Sequence, residues 1–387
     1  MRWSRMREAC RFFGLTPRAG SFAWSRGRRS KGASTHTIRP TGPAGSRRTY
    51  QSGPLASTTM RILLLGIDTT VLDEGAKNVA TNLASVLAEV DEVLTIHQRR
   101  IVFPRNLLRA ARFAPDVILS VHGPGPRTIL LLFILRILCG FSKTVTIGTQ
   151  PHDSPVMLRL MRWIGPHLVF AQSKSWRERF RQTGVKVCLL PNGVDLDKFV
   201  PYLDATGISK FREVLGIGED QMVVLHIGPI NDNRNYELLA RLQRETSFQV
   251  IVIGSTSERC LPHLVAMLRS AGALVFMQYF PNISQVYALA DIYLFPVMAA
   301  SGSIEFPLTV LEALACDRPV ASTPFRGLPD FLPENPALRY FRDYEELLRL
   351  IPELIGQAGG RVAVQEFSWR AVTNQLRAHI CSELGVG

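Results

Sequence analysis

No apolar run in this 387-residue chain reaches the roughly eighteen residues that a membrane-spanning helix needs. The longest, Ile129 to Leu135 and on past Arg136 to Cys139, has the length of a core helix. Cysteine is sparse. The six present, Cys10, Cys139, Cys188, Cys260, Cys316 and Cys381, stand too far apart for metal-ligand spacing. Most lie in apolar runs, which reads as buried reduced thiols in a cytoplasmic protein. No Gly-x-Gly-x-x-Gly follows the first apolar strand, which argues against a dinucleotide-dependent dehydrogenase. The initial charges are followed by no apolar core, so a secretory signal is not expected.

Acidic residues are nearly missing from positions 1–59, where Glu8 alone faces twelve Arg or Lys. The rest of the chain holds 33 basic and 31 acidic residues, so +11 of the net charge of +13 belongs to the first segment. A nearly neutral body argues against a nucleic-acid partner. Segment 1–59 is rich in Arg, Ser, Gly and Pro, without apolar periodicity, and reads as a disordered extension. Three readings of it stand side by side: translation that begins at Met60, an organellar transit peptide, or a functional basic arm.

What is present is a regular alternation. Short apolar runs that suit strands buried on both faces occur at 61–66, 92–96, 117–121, 144–149 and 168–171. A second series begins at Met222–Gly228 and continues at 248–253, 274–279, 292–295 and 319–322. Helical spacing fills the gaps, as in Val79, Leu83, Val86 and Leu87 of the segment Asn78–Glu89. The pattern predicts doubly wound α/β architecture, twice. Between the series lies Pro191-Asn192-Gly193-Val194-Asp195, whose Asn-Gly is a tight-turn signal.

The most informative stretch is Ile304-Glu305-Phe306-Pro307-Leu308-Thr309-Val310-Leu311-Glu312, after the strand Ile292–Phe295 and a loop with Ser301, Gly302 and Ser303. Loop amides and a helix N-terminus suit anionic groups, since free N–H groups and the helix dipole point at the ligand. A carboxylate a turn further in can accept from paired hydroxyls, such as those of a ribose. The stretch resembles the donor-site signature of family 4 (group 1) glycosyltransferases of the GT-B fold, two glutamates with seven residues between them. Glu312 matches the second; the position of the first is Ile304, and Glu305 lies one residue late. Pro191–Asp195, with Phe199 and Pro201, resembles the family's hinge, and Phe367-Ser368-Trp369 its last element.

The resemblance implies two Rossmann-like domains facing across a cleft, at 60–197 (acceptor side) and 198–367 (nucleotide-sugar side), with residues 368–387 as a helix crossing back. It implies retaining transfer of a hexose-type unit from a nucleoside-diphosphate sugar to a hydroxyl of a glycan, lipid-linked or small-molecule acceptor, with no metal and no cofactor. Asp195-Leu196-Asp197 also fits an Asp-x-Asp metal motif, but the hinge explains it. The implied donor residues are Gly75, Gly228, Arg234, Gly254, Glu305, Phe306, Pro307, Leu308, Thr309 and Glu312. Gly75 stands where the family carries a Gly-Gly pair, and an ordinary turn glycine is the competing reading. Pro229 replaces an arginine, while Arg234 keeps the charge of a lysine position; a guanidinium binds a diphosphate bidentately. His152, in Thr149-Gln150-Pro151-His152-Asp153, matches a histidine near the reacting sugar, and Glu305 is its catalytic companion. His122 and Asp153 are acceptor-side candidates.

Arg99, Arg100, Arg105, Arg109 and Arg112 form a stripe without an intervening acid, with Leu107, Leu108 and Phe113 alongside. Peripheral contact with an anionic membrane is one reading and a solvated helix the other. Two rival functions remain. A nucleotide-sugar epimerase would interconvert donors without acceptor. A non-catalytic nucleotide-sugar-binding protein would release no nucleoside diphosphate.

Overall fold

Strands buried on both faces take apolar residues throughout, and the two apolar series form two separate sheets. A computed structural model describes residues 59–66, 75–121, 123–202, 204–255 and 260–386. The basic extension lies outside them, save for its last residue. The first sheet holds β1 (Arg61–Gly66), β2 (Glu92–His97), β3 (Val117–Ser120), β4 (Lys143–Gly148), β5 (Leu168–Ala171) and β6 (Lys186–Leu189). Its order is β2-β1-β3-β4-β5-β6, parallel throughout. The second holds β7 (Val223–Ile227), β8 (Gln249–Ile253), β9 (Leu274–Phe276), β10 (Ile292–Phe295), β11 (Val320–Ser322) and β12 (Leu338–Tyr340). Its order is β12-β11-β10-β7-β8-β9, again parallel. This is the expected α/β, doubly wound, two-domain arrangement. Strand order reverses between β1 and β3, and between β7 and β10. Open α/β sheets bind ligands at the carboxyl ends of such reversals.

Helices cover both faces of the first sheet. Leu63, Leu65 and Ile118 pack under Ala110, Leu132 and Leu135 on one face. Ile62, Leu64 and Val117 pack on the other face with Val79, Leu83, Val372 and Leu376. The last two belong to the final helix, Trp369–Leu384, which thus lies on the first sheet although it follows the second in sequence. Ser368 caps its start by accepting from Ala371 N–H at 3.2 Å. Arg377 clamps it through a bidentate pair with the buried Asp91, which also accepts from Met60 N–H at 3.0 Å.

Asn192-Gly193 does not form the tight turn that its sequence signals. It runs extended, and Val194 pairs with the returning chain: its N–H donates to Phe367 at 2.7 Å, and its carbonyl accepts from Trp369 at 3.2 Å. Gly193 answers a packing demand, because a Cβ there would press into the Trp369 ring at 2.6 Å. Both chain crossings between the sheets therefore run side by side.

Candidate functional site

The reversal between β7 and β10 gathers the charged groups of the second domain. β7 ends at Ile227, Gly228 follows it, and a single 3-10 turn, Asp232–Arg234, brings Arg234 back over that glycine. A Cβ on Gly228 would collide with the Arg234 guanidinium. The loop is held from below by Tyr236, whose hydroxyl lies 3.0 Å from the Gly228 carbonyl oxygen and 2.9 Å from that of Pro229. Arg234 is only 8% exposed, its Nε has no hydrogen-bond partner, and among the described residues no carboxylate pairs with it. A buried guanidinium without a counterion is costly, so this group is poised for an anionic ligand.

Beneath it lies His226, fully buried. Its Nδ1 is 2.9 Å from the Leu294 carbonyl oxygen, so Nδ1 carries the proton and donates. Burial, and then the Arg234 charge, depress its pKa to about 3, so the ring stays neutral under the cation.

β10 leads through residues 296–307 into the helix Leu308–Ala315. Pro307 precedes that helix without a side-chain cap, so no side-chain oxygen satisfies its first amides. One turn in, Glu312 accepts from the Tyr287 hydroxyl at 2.8 Å, and the same hydroxyl is 3.3 Å from the Thr309 carbonyl oxygen. Burial pushes the Glu312 carboxyl up, opposed by the Tyr287 hydrogen bond and the Lys198 charge. The Tyr293 hydroxyl lies 3.4 Å from the Ile227 carbonyl oxygen, at the end of β7. Gly254 ends β8 on the same edge, where a side chain would collide with Met277. The structure thus brings Gly228, Arg234, Gly254, Thr309 and Glu312 to one sheet edge.

Glu305 is placed differently. It is 3% exposed and sits between the domains. Oε1 accepts from Trp176 Nε1 at 3.2 Å and lies 3.1 Å from Arg326 Nη1; Oε2 accepts from Ser173 Oγ at 3.2 Å. Three donors therefore hold the carboxylate, Ser173 and Trp176 at the start of the helix Lys174–Arg181 and Arg326 from the second domain. Burial raises its pKa, while Arg326, Ser173 and Trp176 pull the other way. Its neighbours divide between the two cores. Phe306 packs against Phe331 and Phe367 of the second domain. Ile304 and Leu308 join the core of the first. The side chains of Phe306 and Leu308 are therefore packing groups, which leaves their backbone for a ligand. Asn192 fixes that backbone, donating to the Phe306 carbonyl at 2.6 Å.

On the first domain, Glu305 N–H donates to the Thr149 carbonyl at 2.8 Å, which joins the loop after β4 to the 304–308 loop. His152 is exposed three residues on, its N–H 3.4 Å from the Pro124 oxygen. Asp153 pairs with Arg179 at 2.9 Å on the surface. Gly75 opens the helix Gly75–Leu87; the loop before it, residues 67–74, and His122 lie outside the described residues. Asp195 accepts from Asp197 and Lys198 N–H at 3.1 and 2.9 Å, so its carboxylate closes the hinge turn. Sequence reasoning missed His226, Tyr236, Asn192 and the Tyr287–Glu312 bond, since no local pattern links residues 25 positions apart.

Residues 222–357 match the family model described as Glycosyl transferases group 1. The chain is similar to the D-inositol 3-phosphate glycosyltransferase of Mycobacteroides abscessus, 29% identical over 208 residues, 49% of this chain and 45% of that protein. It is also similar to the sulfoquinovosyl transferase SQD2 of Arabidopsis thaliana, 25% identical over 321 residues, 71% of this chain and 58% of that protein. The chain spans about half the length of these curated relatives. Its fold is similar to that of Anabaena HepE in complex with UDP, with a TM-score of 0.64 at 18% identity, over 84% of this chain and 100% of that one.

Proposed function

We propose that this chain, whose residues 222–357 match the Glycosyl transferases group 1 model, is a glycosyltransferase of the GT-B fold that moves a hexose-type sugar from a nucleoside-diphosphate sugar to a hydroxyl acceptor with retained anomeric configuration. The observation that carries this reading is Arg234: a buried guanidinium at the strand-order reversal with no carboxylate partner among the described residues, on the sheet edge that also holds an uncapped helix end and Glu312. A diphosphate would take Arg234 and the amides at Leu308–Thr309; the ribose hydroxyls would donate to Glu312. The acceptor oxygen then attacks the anomeric carbon on the face from which the diphosphate leaves. The C–O bond to the phosphate breaks with its electron pair, and the acceptor proton passes to a leaving phosphate oxygen. Preorganised positive charge at the developing phosphate is the main contribution asked of the protein. His152, exposed beside the loop after β4, would orient the sugar or the acceptor. No metal or cofactor is part of this reading, and the Asp195 carboxylate is spent on its own turn. The setting is cytoplasmic, in keeping with the unpaired thiols among the described residues.

UDP is the first nucleotide to try, because the fold relative HepE is in complex with UDP; GDP and ADP follow. Titration calorimetry should give binding of one of the three that falls at least tenfold, about 1.4 kcal/mol, in Arg234→Ala and partly recovers in Arg234→Lys. No binding of any nucleotide, or binding indifferent to Arg234, would sink the donor-site reading. A non-catalytic binder is the second reading, favoured by Pro229 in place of a cation and by Glu305 turned into the domain interface. It predicts the same nucleotide affinity, with no nucleoside diphosphate released from the donor sugar when acceptors are supplied.

A further inference from the structure

The helix Pro126–Leu138 is apolar on both its inner and its outer face, with Arg127 and Arg136 its charged residues. A helix of that kind is normally covered on every side. Its inner face, Ile129, Leu132 and Leu135, is buried against the first sheet. Its outer face, Leu130, Ile134, Ile137 and Leu138, is 43–49% exposed, and Phe141 beyond its end is 69% exposed. The neighbouring helices continue the surface. Val102, Phe103 and Leu108 stand exposed at Pro104–Phe113, and Val156 and Trp163 at Pro155–Ile164, with Trp163 80% exposed. Both helices pack beside Pro126–Leu138. Three consecutive helices thus share one broad outward face with an apolar ridge down its middle.

The same segment carries charge of one sign. Residues 98–165 hold ten Arg or Lys against two acids. Both acids are engaged: Asp116 accepts from Arg61 N–H, and Asp153 pairs with Arg179. Arg105, Arg127, Arg159 and Arg162 are exposed along the flanks of the ridge. We propose that this three-helix face seats the protein on an anionic lipid bilayer. Apolar side chains enter the acyl boundary, the arginines meet lipid phosphates, and an exposed tryptophan suits the headgroup level. The surplus of positive charge opposes a second copy of the chain on the same face. The N-terminal ends of these helices follow β2, β3 and β4, so they lie at the sheet edge where His152 and Asp153 stand. A hydroxyl on a lipid headgroup would arrive there from the membrane side, which makes a lipid-linked acceptor the substrate class. This last step alone rests on the transferase reading; the docking does not.

The test uses the full chain, with vesicles of phosphatidylcholine alone or with about one third phosphatidylglycerol. Segment 1–59 is basic and present in every variant, so its contribution cancels between them. Wild type should bind the anionic vesicles. The triple variant Ile134→Glu, Ile137→Glu, Phe141→Glu should bind them about tenfold or more weakly, with unchanged melting temperature and nucleotide affinity. Reversal at Arg105→Glu, Arg159→Glu and Arg162→Glu, which leaves the ridge intact, should lower binding to anionic vesicles and abolish its salt dependence above that of the extension. Bound wild type should show a blue-shifted tryptophan emission that Trp163→Phe loses. Vesicle binding unaltered in both triple variants would overturn the proposal. So would a wild-type dimer that the first triple variant dissociates while vesicle binding stays unchanged. Nucleotide affinity is read separately, so failure of the donor site is distinguishable from failure of the docking face.

Discussion

Glu312 pulls stability and function in opposite directions. Its buried carboxyl titrates above its unfolded value of 4.5, so its ionised form is disfavoured by the fold. Its contribution to stability is therefore fully present below pH 4.5 and is lost as pH rises through the folded value. Glu312→Gln removes that penalty. Without ligand the variant should melt at or above wild type at neutral pH, and the difference should vanish below pH 4.5 in a melting series. With nucleotide the order reverses. Losing a charge-assisted hydrogen bond to the ribose should weaken binding by about 1.5–3 kcal/mol in calorimetry. A variant that binds nucleotide as well as wild type would remove Glu312 from the site. Arg234 makes the same point from the cationic side, since its guanidinium is buried over Gly228 with no carboxylate partner among the described residues.

At the scale of elements, the final helix is fixed by two arginines of unequal weight. Arg370 pairs with Glu89 at 2.6 Å, but both side chains are largely in water, so the pair contributes at most about 1 kcal/mol. Arg377 holds Asp91, whose side chain is 0% exposed. Removing one partner leaves a buried charge uncompensated, which costs about 3–5 kcal/mol. Arg377→Met should lower unfolding free energy by that order in urea, and adding Asp91→Asn should recover much of the loss. Equal, small effects from Arg370→Met and Arg377→Met would mean that the last helix is held by Val372, Leu376 and Ile380 alone.

For the whole molecule, the decisive contact is Glu305 between the domains. Its carboxylate ties Ser173 and Trp176 of the first to Arg326 of the second. Lys174 N–H adds a hydrogen bond to Asp330 at 2.6 Å, and Asn192 one to Phe306. Glu305→Ala should therefore cost about 3–5 kcal/mol in stability and broaden the distribution of domain orientations in small-angle scattering, with nucleotide affinity unchanged. A fall in donor-sugar turnover with stability and scattering unaltered would return the carboxylate to the sugar.

Much of this was written locally in the chain. β1, β5, β7 and β10 were legible because strands buried on both faces must be apolar along their length, and no other element of that length needs to be. The proposed donor edge rests on features of the same short range, since glycine after strand ends, a cation after β7 and Glu312 one turn into a helix are all local. β12 was not, because Leu338-Arg339-Tyr340 is a three-residue edge strand with no period to read. Asn192-Gly193 misled, because a glycine required by the Trp369 ring looks the same in sequence as one required by a turn. Glu305 could not be assigned from sequence at all. Its partners Trp176 and Ser173 lie 129 and 132 residues away. Local chemistry determined that the chain builds two parallel sheets with an anion-seeking edge. Only the contact of one domain with the other decided that Glu305 binds the domains together, because a carboxylate's role is set by the donors that surround it in space.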